Sequence, residues 1–173
     1  YPHIKTVDMR GNLQTRLRKL EEGQCDAILL AYAGVHRMEY DSLICEHLQL
    51  DEFTPAVGQG SVAIECSSTI DPEKKEKLRA LLNHPATEAC LLAERAFLRR
   101  LQGGCSVPVF GLATHQADGL SITGGVVSLD GKTLLKHTVT GDTSAPESIG
   151  SELAEKLLAE GAAEILAQIK QNL

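Results

Sequence analysis

The chain has 173 residues, 43% of them hydrophobic, enough for one sizeable domain or two small ones with a buried core. Its net charge of −6 argues against nonspecific nucleic-acid or anionic-membrane binding. No apolar run reaches the roughly 18 residues that a membrane span needs, and no signal peptide is visible, so a cytoplasmic protein is expected. The charge is unevenly spread: residues 1–40 hold six Lys or Arg against five Asp or Glu, leaving −7 for the remainder. A local anion site belongs in that first part. The five cysteines show neither metal-ligand spacing nor an even count, and most are expected to be reduced packing residues.

The chain opens without Met and runs straight into the strand-like alternation "IKTVDM", so either an absent upstream part or processing of the chain is expected. Gly11-Asn12 breaks the alternation, with Asn12 a helix N-cap ahead of Leu13, Leu17 and Leu20 on one face. "CDAILLAYAG" reads as a strand covered on both faces, which makes the opening a parallel β-α-β unit of α/β class. "VHRMEYDSLICEHLQLDEF" predicts short helices. "TPAVGQGSVAIEC" predicts a Pro/Gly loop leading into another strand.

Asp71 and Pro72 open a helix over "DPEKKEKLRALLN". A longer helix from about residue 85 to 101 carries Cys90, Ala93, Phe97 and Leu101 at helical spacing, with Gly103-Gly104 as its stop. "SVPVFGLATHQ", "LSITGGVVSLD" and "TLLKHTVTG" are three strands joined by Asp-Gly turns, an antiparallel meander. "APESIGSELAEKLLAEG" and a short segment after Gly161 close the chain as helices. From about residue 83 the pattern is α+β, distinct from the α/β start.

Arg10 at a strand end and Arg16 in the first helical turn can serve a carboxylate or phosphate, because free N–H groups and the helix dipole already favour an anion there. The same arginines can equally be solvated and paired with Glu21, Glu22 or Asp26. Gly34 and Arg37 follow the next strand and open onto the same edge, or form a simple turn. "AVGQG" fits neither nucleotide-binding glycine motif. Cys105 follows a helix C-terminus, whose dipole disfavours a thiolate, although Arg99 and Arg100 offset this in part. A packing thiol, a reactive thiol and an anchor formed once with an electrophile are the readings open to it.

Taken together, "MRGNLQTRL", "AILLAYAGVHRM", "PAVGQGSVAIEC" and "AERAFLRRLQGGCSVPV" resemble the hydroxymethylbilane synthases, or porphobilinogen deaminases, across nearly the whole chain. The resemblance implies a three-domain, monomeric transferase of tetrapyrrole biosynthesis that condenses four porphobilinogen molecules with release of ammonia. It implies a dipyrromethane cofactor joined by a thioether to Cys105. It aligns Arg10, Arg16 and Arg37 with arginines that bind cofactor or substrate carboxylates, and Gln59 with a hinge-side glutamine; Ala31 and Gly34 line the same site with backbone.

The implied layout is 1–54 as part of a periplasmic-binding-like α/β domain, 55–82 as hinge and return to the first domain, and 83–173 as the cofactor-anchoring α+β domain. The family's catalytic aspartate belongs to a region outside these residues, and neither Asp8 nor Asp26 matches its motif. The chain alone is therefore expected to be inactive, with the missing N-terminal domain as a partner and apolar surface exposed near 61–78, open to strand exchange. A carboxylate-binding module without catalysis is the alternative.

Overall fold

The computed structural model describes residues 3–104 and 107–171. Two compact units divide the chain, Tyr1–His47 and Leu48–Leu173.

In the first unit Asn12 caps helix α1 (Leu13–Glu21) by accepting from the Thr15 amide at 2.9 Å, the predicted N-cap. Helix α2 (Tyr32–Arg37) and a 3-10 turn (Asp41–Leu43) follow. The predicted strands over 4–9 and 25–34 do not form, and α2 occupies the end of the second. The reason is that a strand is defined by its neighbour: no backbone hydrogen bond joins the two segments among the described residues. An apolar run such as "AILLA" records a covered position without naming what covers it. Within 3–47, Val35 is the one buried side chain among the described residues.

In the second unit the segment 61–66 also forms no strand, and Val62 stands 87% exposed. Helix α3 (Pro72–Leu82) begins at the predicted Asp71 cap, which accepts from the Lys74 amide at 2.9 Å. Helix α4 (Pro85–Arg100) is capped by His84, whose Nδ1 accepts from the Thr87 amide. The corner between them is tied by Glu88, which accepts from Arg79 at 2.5 Å and Asn83 at 2.7 Å.

The meander forms as predicted: β1 (Val109–Gln116), β2 (Gly119–Val127) and β3 (Leu134–Gly141) make one antiparallel sheet in that order. Gln116 pairs with Gly119 around a two-residue turn, and Val127 pairs with Leu134 around a turn containing Gly131 at φ 69°. Helices α5 (Pro146–Ala159) and α6 (Ala162–Gln171) complete the unit.

The core lies where α4 and α5 pack on the sheet, around Phe97, Leu120, Ile122, Leu153 and Leu157. Two glycines make room for Phe97, since a methyl group at Gly111 or Gly124 would press on its ring. Gly150 does the same for the helix pair, because a methyl group there would run into the Ala93 carbonyl on α4.

In a free helix Gly→Ala gains about 1 kcal/mol. Here Gly150→Ala is expected to lower unfolding free energy by about 1–3 kcal/mol, because the backbones must part to admit the methyl. Urea unfolding measures this, and a stabilised variant would show that α4 and α5 separate freely.

Candidate functional site

Arg10 is exposed, and its carbonyl accepts from Lys19 Nζ at 3.1 Å, which draws the chain before α1 onto that helix. Arg16 is half-buried, and its Nε donates to the Gly11 carbonyl at 2.9 Å. That bond holds the guanidinium close to the turn at Gly11, whose φ of 119° suits glycine. Arg37 ends α2 and is exposed.

Among the described residues, no carboxylate lies within 4 Å of Arg10, Arg16 or Arg37. The alternative pairing with Glu21, Glu22 or Asp26 does not form for these arginines; it is Arg18 that meets Glu22, at 3.6 Å. Three guanidinium groups without carboxylate partners suit an anionic ligand.

Ala31 is the N-cap position of α2, and its carbonyl accepts from the Gly34 amide at 3.0 Å. Gly34 thus offers an absent side chain rather than a donor: a methyl group there would meet nothing within 4 Å. Around α2, Tyr32 stacks on His36 and meets His47 edge-on, and His36 Nδ1 lies 2.9 Å from Asp41. The His36 hydrogen bond holds the Asp41 carboxyl below its ordinary range.

In the second unit Gln59 is exposed, on a loop of two tight turns in which Gln59 N–H donates to Ala56 and Ser61 N–H to Gly58. Gly58 and Gly60 take φ of 75° and 83°, the left-handed conformation that glycine adopts most easily. An open cleft of about 340 Å³ brings Gln59 and Ser61 together with His84, Cys90, Glu94 and His115.

The sequence reading missed Glu94. It is 4% exposed, and its carboxylate accepts from the Gly58 amide at 2.7 Å and the Ala113 amide at 2.8 Å. Burial pushes its carboxyl above the ordinary range, and the two amides pull it part of the way back. The signal available in the sequence was an acid on the buried side of a helix, next to Ala93 and one turn from Cys90 and Phe97.

Cys105 lies outside the described residues. The residues leading to it depart from expectation in one respect. Gln102, not a glycine, takes the left-handed position at the end of α4, at φ 51°. Gln102 N–H then bonds the Arg99 carbonyl and Gly103 N–H the Leu98 carbonyl, a Schellman ending. Gly103 is needed for space instead, since a methyl group there would strike Leu98. Of the other cysteines, Cys45 is exposed and Cys25, Cys66 and Cys90 are half-buried, so none of these four is the buried packing thiol expected. Cys90 comes nearest: it packs against the core, and burial raises its thiol.

Two family models match the chain: "porphobilinogen deaminase, dipyromethane cofactor binding domain" over residues 1–76, and "porphobilinogen deaminase, C-terminal domain" over 88–159. The porphobilinogen deaminase of Cytophaga hutchinsonii is 59% identical over all 173 residues, covering 55% of that relative. Those of Desulfosudis oleivorans and Synechococcus elongatus are 54% and 50% identical over 99% and 98% of the chain, covering 56% and 52% of their own lengths. The chain belongs to the porphobilinogen deaminase family. It spans about half the length of these relatives.

Within the second unit, Glu94 gives a pH signature. Its folded-state pKa lies above the unfolded one, so its contribution to stability is present below the unfolded value and lost as pH rises through the folded one. The stability difference between wild type and Glu94→Gln, followed by urea unfolding from about pH 4 to about pH 7, is therefore expected to shrink with rising pH. A flat difference would mean that the two amides fully offset burial.

Proposed function

We propose that this chain is part of an intact porphobilinogen deaminase that condenses four porphobilinogen molecules into hydroxymethylbilane, releasing ammonia, in tetrapyrrole biosynthesis. The observation that carries the reading is the 59% identity over the whole chain to a protein of that name. The cofactor-domain model over 1–76 supports a dipyrromethane group, and by the resemblance Cys105 holds it through a thioether.

The described residues fit such a group. Each pyrrole carries an acetate and a propionate, and Arg10, Arg16 and Arg37 are guanidiniums without carboxylate partners among the described residues. When bound, the dipyrromethane supplies the pyrrole carbon from which the product is built. Arg10 and Arg16 neutralise carboxylates of cofactor and substrate, and Arg37 binds substrate. Ala31 and Gly34 line the site with backbone, and Gln59 contributes a polar side chain to it. None of these residues is assigned a proton-transfer role.

In the full-length protein, residues 1–54 are assigned to a periplasmic-binding-like α/β domain, where the apolar segments at 4–9 and 27–31 gain strand partners. Residues 55–82 form the hinge and return segment, and 83–173 the cofactor-anchoring domain. The partners are porphobilinogen and the remaining N-terminal domain, in a monomeric, cytoplasmic enzyme.

Intact mass of the full-length protein after incubation with porphobilinogen tests this. Wild type is expected to carry two pyrrole units and Cys105→Ser none; an unchanged adduct on Cys105→Ser overturns the anchor. Arg16→Ala is expected to lower kcat/KM by roughly 10- to 100-fold, the worth of one charge-assisted hydrogen bond, with the loss measured by steady-state kinetics.

A further inference from the structure

We infer that Glu94 is a positioning residue: from α4 its carboxylate seats the loop 56–60 and thereby sets where Gln59 stands. The inference rests on the proposed reading only in taking Gln59 as part of the site.

Both carboxylate oxygens are committed, Oε2 to the Gly58 amide and Oε1 to the Ala113 amide. One side chain thus joins α4, β1 and the turn that precedes Gln59. No Lys, Arg or His nitrogen lies within 4 Å of it among the described residues, so the burial of this acid serves the two amides rather than an ion pair. The upstream end of the loop has its own fastening, the Gly111 amide bonded to the Pro55 carbonyl at 2.9 Å, with Val57 packed on the core.

Beyond Val57, among the described residues, the loop has only its internal turn bonds and Glu94. Glycines at 58 and 60 make this stretch easy to deform, so the orientation of Gln59 depends on the Gly58 anchor. The titratable groups facing the same cleft are His84 at the α4 cap, Cys90 one turn before Glu94 and His115 on β1. A glutamine in place of Glu94 offers one acceptor oxygen and one donor nitrogen, so it can satisfy only one of the two amides.

The test uses the full-length, cofactor-loaded enzyme, with hydrogen exchange by mass spectrometry beside kinetics. In Glu94→Gln the amides of 57–60 are expected to exchange about tenfold faster or more, with β2 and α5 unchanged. Activity is expected to fall about tenfold, and the double variant Glu94→Gln/Gln59→Ala to be no worse than the poorer single variant. Glu94→Asp, which keeps both oxygens on a shorter stem, is expected to recover part of the protection and activity. It carries the test if the glutamine variant does not fold.

Faster exchange throughout β2 and α5, unchanged exchange at 57–60, or additive losses in the double variant would overturn the positioning role. If Gln59→Ala alone leaves kcat/KM unchanged, the place of Gln59 in the site falls, and the exchange pattern still decides whether Glu94 seats the loop.

Discussion

The second unit depends on how closely α4 can approach its neighbours. Phe97 is fully buried over two strand positions where glycine stands, Gly111 and Gly124, and Gly150 lets α5 run against the α4 backbone at Ala93. Dispersion and burial favour such contact only at close range, so the absent side chains of the sheet and of α5 are what let the aromatic ring count. With α4 fixed this way, the position of everything along it follows. That includes the His84 cap at its start, Glu94 one turn before Phe97, and the Schellman ending that leads toward Cys105.

Charge is handled differently in the two units. In 3–47 Arg10, Arg16 and Arg37 are held by backbone or left in solvent, without carboxylates beside them among the described residues, while Arg18 takes Glu22. In 48–173 the surface arginines mostly have acids, Arg79 with Glu88, Arg99 with Glu147 and Arg100 with Glu155. An anion arriving at the first unit meets guanidiniums it need not win from an existing partner. One arriving at Arg99 or Arg100 on α4 would have to displace an acid.

What could be read from the sequence divides along physical lines. Helices announce themselves locally: Asn12, Asp71 and Pro72 marked starts because caps and prolines act within one turn. The meander was equally legible, since each of its strands pairs with the next across a short Asp-Gly turn. The segments at 4–9, 25–31 and 61–66 carry strand composition but no local partner, and composition cannot supply one. At the candidate site Arg10 and Arg16 could be picked out because charge near a helix start is a short-range pattern. Glu94 was not, because its donors lie 36 and 19 residues away. Gln102 was misjudged for a related reason: the glycine next to it was kept for space beside Leu98, and helix termination fell to a side chain less suited to it.

Both donors to Glu94 are main-chain amides, so the bond does not read the side chain at Ala113 at all, and it constrains Gly58 only through backbone conformation. The information for this contact sits at a single position. Relatives could exchange residue 113 for any that packs there and keep the contact intact, whereas a change at 94 has no compensating partner to mutate. A search for residues that vary in pairs would therefore be blind to one of the main links between α4 and the loop that carries Gln59.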